Sequence, residues 1–259
     1  MSSTLRHQIK HIARQAQRWL PWGPTGFTLI TGCPRSGTSA LCTWLKHQPG
    51  IAGFDESRIT IAAHHVLQCV GRFKHLAENE TALTESARKL VLDFYSKQRF
   101  ISGKVILDKE PLEPIAFPNQ EYSSYLQSMR RLFPNLKLVF IERHVENTVW
   151  SMTRRTWGES LVTPTEISLS IQEATRIWLD SHRLILEMQN QPNTLTIQYE
   201  DLVASPVDVS RKLCDFVGIR MRAPFTPLNG KTPGFSVEES RQISEIVGHP
   251  LEKTTSTHG

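Results

Sequence analysis

The chain is 259 residues long, 39% hydrophobic and 21% charged, with a mean hydropathy of −0.30. Such a composition excludes disorder over most of the length and suits one α/β domain. The formal charge of +5 is uneven: residues 1–54 carry Arg6, Lys10, Arg14, Arg18, Arg35 and Lys46 and no acid, which argues against a broad nucleic-acid-binding face.

In chain order, Leu5, Ile9, Ile12, Ala16, Trp19 and Leu20 recur at helical spacing, with basic residues on the other faces. They predict a basic amphipathic helix over residues 1–22, closed by Pro21-Trp22-Gly23-Pro24. Three readings stay open for it: packing on the domain, weak contact with a membrane surface, or a targeting segment. Residues 27–31 predict a short strand, broken by Gly32-Cys33-Pro34-Arg35-Ser36-Gly37, and residues 38–46 a helix with Leu41, Trp44 and Leu45 inward.

Further helices are predicted over 59–76, 84–98, 119–132, about 146–155 and roughly 165–190, and strands over 104–108, 136–141 and 194–199. Ser205-Pro206-Val207-Asp208 supplies an N-cap, a proline at N1 and a first-turn acid, and Gly218 a stop. Strands alternating with helices predict a central, mostly parallel sheet flanked by helices. One domain is expected over 23–248, with a flexible tail at 249–259.

Cys33, Cys42, Cys69 and Cys214 form no C-x-x-C pair. A structural zinc site and a disulfide framework are therefore not indicated, and a reducing, cytoplasmic setting is expected. No run of 18 apolar residues and no secretory h-region occurs, so neither a membrane span nor a signal peptide is expected.

Gly32 to Ser39 has the spacing of a Walker A loop, but Thr38 stands where nucleotide triphosphatases carry lysine. The cation has moved to Arg35. Successive backbone N–H groups and the positive end of a helix can hold an anionic oxygen cluster there. Without the lysine, the clamp on a transferring phosphoryl group is missing, which speaks against a nucleotide kinase. The fold expected is thus an α/β, P-loop-type three-layer architecture.

The stretch Thr31-Gly32-Cys33-Pro34-Arg35-Ser36-Gly37-Thr38-Ser39 resembles the 5′-phosphosulfate loop of sulfotransferases that use 3′-phosphoadenosine 5′-phosphosulfate (PAPS). Phe140-Ile141-Glu142-Arg143-His144, followed by Val149 to Arg155, is similar to that family's 3′-phosphate site. There an arginine ends a strand, and a serine eight residues later sits on the next helix. Arg143 and Ser151 can converge on one phosphate, with Arg155 assisting.

Asp55-Glu56-Ser57-Arg58-Ile59 is similar to the segment that carries the catalytic glutamate of tyrosylprotein sulfotransferases, and Asp108-Lys109-Glu110-Pro111 resembles their lysine-containing turn. Tyr199-Glu200-Asp201-Leu202-Val203, with Phe216-Val217-Gly218-Ile219, matches a further block, so Tyr199 joins the expected donor-binding set. The resemblance spans about residues 27–220. It implies sulfuryl transfer from PAPS to an acceptor hydroxyl or amine, with Glu56 as base and Arg35 and Lys109 neutralising transferred charge. From composition alone, Glu56 would simply pair with Arg58.

No metal is needed in that scheme. Small-molecule members of the family use a histidine base, but His64-His65 lie in a predicted helix and are expected as surface or core. Residues 231–236 are expected as a loop over the donor, and 52–100 and 156–170 as the acceptor side, where Trp150, Trp157, Phe73 and Phe94 are candidate lining residues. The acceptor's class does not follow from these motifs.

Overall fold

The computed structural model describes residues 23–70, 72–113, 116–117, 121–157, 167–227 and 233–248. The expected helix over 1–22 and tail over 249–259 lie outside them. The elements in chain order are β1 (Gly26–Thr31), α1 (Thr38–Lys46), β2 (Ile51–Gly53), α2 (Ile59–Val70), α3 (Lys74–Ala77), α4 (Glu80–Gln98), β3 (Val105–Lys109), α5 (Tyr122–Leu132), β4 (Lys137–Glu142) and α6 (Val145–Thr153). They continue with β5 (Thr156–Trp157), β6 (Ile167–Ser168), α7 (Ile171–Met188), β7 (Thr194–Gln198), α8 (Tyr199–Ala204), α9 (Pro206–Val217) and α10 (Val237–Val247).

Five strands form one parallel sheet in the order β2-β3-β1-β4-β7. A sheet covered on both faces needs apolar residues on both, and β1 and β4 are near-continuous apolar runs for that reason. Alternate residues divide between two cores. Phe27, Leu29, Ile106, Leu138 and Phe140 pack with α2, α4, α5 and α7, whereas Ile30, Leu107, Val139 and Ile141 pack with α1, α8 and α9. Burying each such aliphatic side chain contributes roughly 1.5–3 kcal/mol.

The strand order reverses at β1. The chain passes from β1 toward β2 on one side and from β4 to β7 on the other, so the crevice at the carboxyl ends of β1 and β4 is the switch point where open α/β sheets bind ligands. Both expected anion-binding loops leave the sheet there.

Three sequence expectations change. The helix expected from about 165 begins at Ile171, where Ser170 and Glu173 form a capping box; Ile167–Ser168 instead pairs antiparallel with Thr156–Trp157. The helix expected over 59–76 is divided, ending at Val70 and resuming over Lys74–Ala77. At Ser205 the side chain makes no capping hydrogen bond, although Pro206 opens α9 and Gly218 closes it in the left-handed region at φ 80°.

Candidate active site

The loop after β1 turns tightly because two of its glycines have backbone shapes and neighbours that leave no room for a side chain. Gly32 has φ 144°, and a Cβ there would stand 2.3 Å from the Ile141 carbonyl oxygen. Gly37 has φ 109°, and its Cβ would meet the Tyr199 ring at 2.6 Å. Arg35 itself adopts φ 70° and is exposed, its Nε donating to Ser151 Oγ at 3.0 Å. Thr38 opens α1, so the loop's N–H groups and the helix's positive end face one crevice.

Arg143 leaves the end of β4 from the opposite side. Its carbonyl accepts from Trp178 Nε1 at 2.9 Å, and its guanidinium lies over the Tyr199 ring, 4.7 Å from the centroid. Ser36 Oγ and Arg143 Nε are buried without a hydrogen-bond partner among the described residues. Buried polar atoms left this way are costly, and anionic oxygens bound in the crevice would satisfy them.

The third side comes from the residues after β2 and the end of β3. Phe54 N and Glu56 N donate to Leu107 O (2.8 Å) and Lys109 O (2.9 Å), extending the β2–β3 pairing toward the crevice. Lys109 is almost wholly buried, and its Nζ donates to Glu56 Oε1 and, at 2.8 Å, to Ser39 Oγ. Glu56 Oε2 accepts from Arg58 at 3.0 Å. The pairing with Arg58 expected from composition is therefore present, but Glu56 also reaches the start of α1, at Ser39, through Lys109. Both oxygens are fixed by cationic donors, and a carboxylate has lone pairs to spare for a third.

Arg58 is a hub that sequence reasoning missed. It donates to Glu56, to Glu113, and to buried Glu110 through both its backbone N and its NH1, each at 2.8 Å. Burial pushes the Glu110 carboxyl up to about 8, with Asp108 adding repulsion and Arg58 opposing. Burial alone would lower the Arg58 guanidinium, but Glu110, Glu113 and Glu56 hold it above its usual value. Beneath them Asp108, fully buried, accepts from Ser57 and Tyr95 and anchors the segment carrying Glu56 and Arg58.

A cleft of about 610 Å³ joins these pieces. All of the expected site residues line it except Ser36 and Lys109: Arg35, Gly37, Thr38, Ser39, Glu56, Arg143, Ser151, Arg155 and Tyr199. Trp44 and Phe225, which sequence reasoning did not place in the site, line it too, in edge-to-face contact at 6.3 Å. Partial desolvation in the cleft and then the charges of Arg155 and Arg143 depress the Arg35 guanidinium. Three guanidiniums thus share one wall, an arrangement that an anion stabilises.

Other expectations fare unevenly. Trp150 lies in an adjoining basic depression with Arg154, whose guanidinium stacks 3.9 Å from its centroid. Phe73 is exposed and Phe94 packs on the main core, so neither lines the cleft. The Trp157 side chain and residues 158–166 lie outside the described residues, as do Lys231 and Thr232 of the expected covering loop; Phe235 packs edge-on against Trp150 at 5.1 Å. His64 is buried and His65 exposed on α2, as expected for core and surface.

Behind Arg143, Glu142 accepts from His182 at 2.5 Å and from Gln198 at 2.8 Å, and His182 stacks on Trp178. The hydrogen bond to Glu142 raises the His182 imidazole against the effect of burial; burial would raise Glu142, but His182 and Gln198 hold it below its ordinary value. The raised imidazole contributes stability that is full below the ordinary histidine value and is lost as pH rises through its folded value. The depressed carboxyl contributes above the ordinary glutamate value and loses this as pH falls. His182→Gln should therefore flatten the decline of Tm as pH rises above the ordinary histidine value of about 6.5. Parallel Tm profiles for the two proteins would remove the pair from the stability of this strand end.

Residues 28–223 match the family model described as Sulfotransferase family. Among solved structures, the sulfotransferase domain of the olefin synthase of Synechococcus PCC 7002 superposes with a TM-score of 0.51 at 18% identity, covering 89% of this chain and 97% of that one. The sulfotransferase domain from the curacin biosynthetic pathway gives a TM-score of 0.50 at 21% identity, over 83% of this chain and 82% of that one. At these identities the likeness is one of fold. No curated protein sequence matches the chain.

Proposed function

The chain belongs to the sulfotransferase family, and from that premise we propose that it transfers a sulfuryl group from PAPS to an acceptor hydroxyl or amine and releases 3′-phosphoadenosine 5′-phosphate (PAP). The observation that carries the donor assignment is the convergence of Arg35, Arg143, Arg155 and Ser151 on one cleft beside the orphaned Ser36 hydroxyl. A nucleotide with anionic groups at both its 5′ and 3′ positions suits cations presented from two separate loops. The 5′-phosphosulfate belongs at the loop and the N-terminus of α1, the 3′-phosphate between Arg143 and Ser151. Trp44 and Phe225 offer an apolar wall for the adenine.

In this reading the acceptor oxygen attacks sulfur while the bond from sulfur to the bridging phosphate oxygen breaks. The bonding pair leaves with PAP, and the acceptor proton passes to Glu56. Lys109 and Arg35 stabilise charge on the sulfuryl and bridging oxygens. The Asp55 to Ile59 segment and the turn at Lys109 favour the branch whose base is glutamate, as in tyrosylprotein sulfotransferases. The four free cysteines support a reducing, cytoplasmic setting. Among the described residues no helix is long and apolar enough to cross a membrane.

Calorimetry with PAP, ATP and AMP tests the donor. PAP should bind with a Kd in the micromolar range, and ATP far more weakly. Arg143→Ala should weaken PAP by roughly 10–150-fold, the equivalent of losing a charged hydrogen bond of ~1.5–3 kcal/mol. Equal use of PAPS and adenosine 5′-phosphosulfate, which lacks the 3′-phosphate, would overturn the assignment of Arg143.

A further inference from the structure

Helix α2 carries two adjacent histidines that sulfuryl transfer does not use. His64 is wholly buried, its ring edge-on to Tyr125 at 5.7 Å. Its Nδ1 lies 2.8 Å from Ser128 Oγ, whereas its Nε2 is buried with no hydrogen-bond partner; Glu121 Oε2 stands 3.9 Å from it. A buried ring nitrogen with nothing to bond is costly to keep unless something occupies the space in front of it.

The neighbouring groups are arranged in a consistent way. His65 is exposed, and its Nδ1 faces Gln68 Oε1 at 3.4 Å, while Gln68 Nε2 donates to Glu121 Oε2 at 3.0 Å. An amide oxygen only accepts, so Nδ1 of His65 carries the proton and its Nε2 the lone pair. The Ser128 hydroxyl can accept as well as donate, so His64 takes the same tautomer when its Nδ1 donates to Ser128. Metal-ligating histidines are held this way, one nitrogen donating to an oxygen and the other bare.

One ligand atom each from His64, His65 and Glu121 lie within 4.8 Å of one another. A tetrahedral zinc site, with bonds of about 2.0–2.2 Å, sets its ligand atoms roughly 3.3–3.6 Å apart. Closing the set therefore takes a small rotation of His65 and Glu121, both reachable by solvent, while buried His64 stays still. We propose that His64, His65 and Glu121 form a binding site for a divalent first-row metal ion of the zinc class, with water completing the coordination.

Its place in the fold gives the ion a task. Glu121 immediately precedes α5, and α2 begins one residue after Arg58. An ion held by both elements clamps α2, and with it the segment presenting Glu56 and Arg58, to the start of α5. It acts as a brace and takes no part in the transfer step.

The test uses the full chain, stripped with a chelator and dialysed, in a Cys69→Ser background. That removes the exposed thiol one turn along α2 from His65. Zn(II) and Co(II) should each bind at one equivalent and raise the Tm. Co(II) should show the ligand-field absorption of a four-coordinate site. His65→Ala combined with Glu121→Gln should lower affinity by about 100-fold or more. His64→Phe fills the buried space with an apolar ring, so it should fold, hold its metal-free Tm, and lose the metal-induced rise. Absence of one-equivalent binding, as expected if only a water bridges Nε2 and Glu121, would overturn the proposal. So would undiminished affinity in either set of variants.

Discussion

Glu56→Gln is expected to lower turnover by roughly 10²–10⁴-fold while changing PAP affinity by about twofold at most. The substitution keeps the size of the side chain, and an amide oxygen can still accept from Lys109 and hold the start of α1 through Ser39. What disappears is the capacity to take a proton. The loss should therefore appear in kcat, with little change in the donor's KM. An acceptor already ionised at assay pH, such as a phenol of low pKa, should partly rescue Glu56→Gln. It should not rescue Lys109→Ala, which weakens stabilisation of the transferred charge. Near-normal turnover of Glu56→Gln on the true acceptor would remove Glu56 from the mechanism.

The parts of the molecule that were legible in the sequence are those written locally. The apolar run ending at Ile141 and the glycines around Arg35 announce a buried strand and an anion loop from neighbouring residues alone. Strand β2 is three residues ending in glycine at the sheet edge, and only its pairing with β3 makes it a strand. Helix α10 was missed because its apolar positions are sparse, although Ser236 and Glu239 form a capping box, a sequence-level start signal. The same signal at Ser170 and Glu173 would have corrected the start of α7. In the site, motif residues fell into place, but Trp44, Phe225 and the Arg58 hub did not follow from any local pattern. Glu110 and Glu113 reach Arg58 from 52 and 55 residues away, a convergence that the β2–β3 register creates.

That hub carries the second large effect. Arg58→Met keeps the aliphatic stem but removes the charge that faces three carboxylates, one of them wholly buried. Breaking a buried pair costs ~3–5 kcal/mol, and the lower end applies because the Arg58 side chain is 38% exposed. In a chain of this size about 3 kcal/mol lowers the Tm by roughly 6–12 °C. Turnover should fall as well, since Glu56 loses one of the two donors that fix it. Glu110→Gln supplies the partner test: with no buried carboxyl left to neutralise, adding it to Arg58→Met should restore part of the lost Tm. The sign of the pH effect follows from Glu110. An acid whose folded value is raised stabilises most below its ordinary value and loses that contribution as pH rises through the folded one, here about 8. Arg58→Met should therefore carry the fall in Tm on beyond about pH 8, where the parent's levels off, and the double variant should flatten it. An Arg58→Met profile that levels off near pH 8 as the parent protein's does would show that Arg58 does not lower the Glu110 carboxyl.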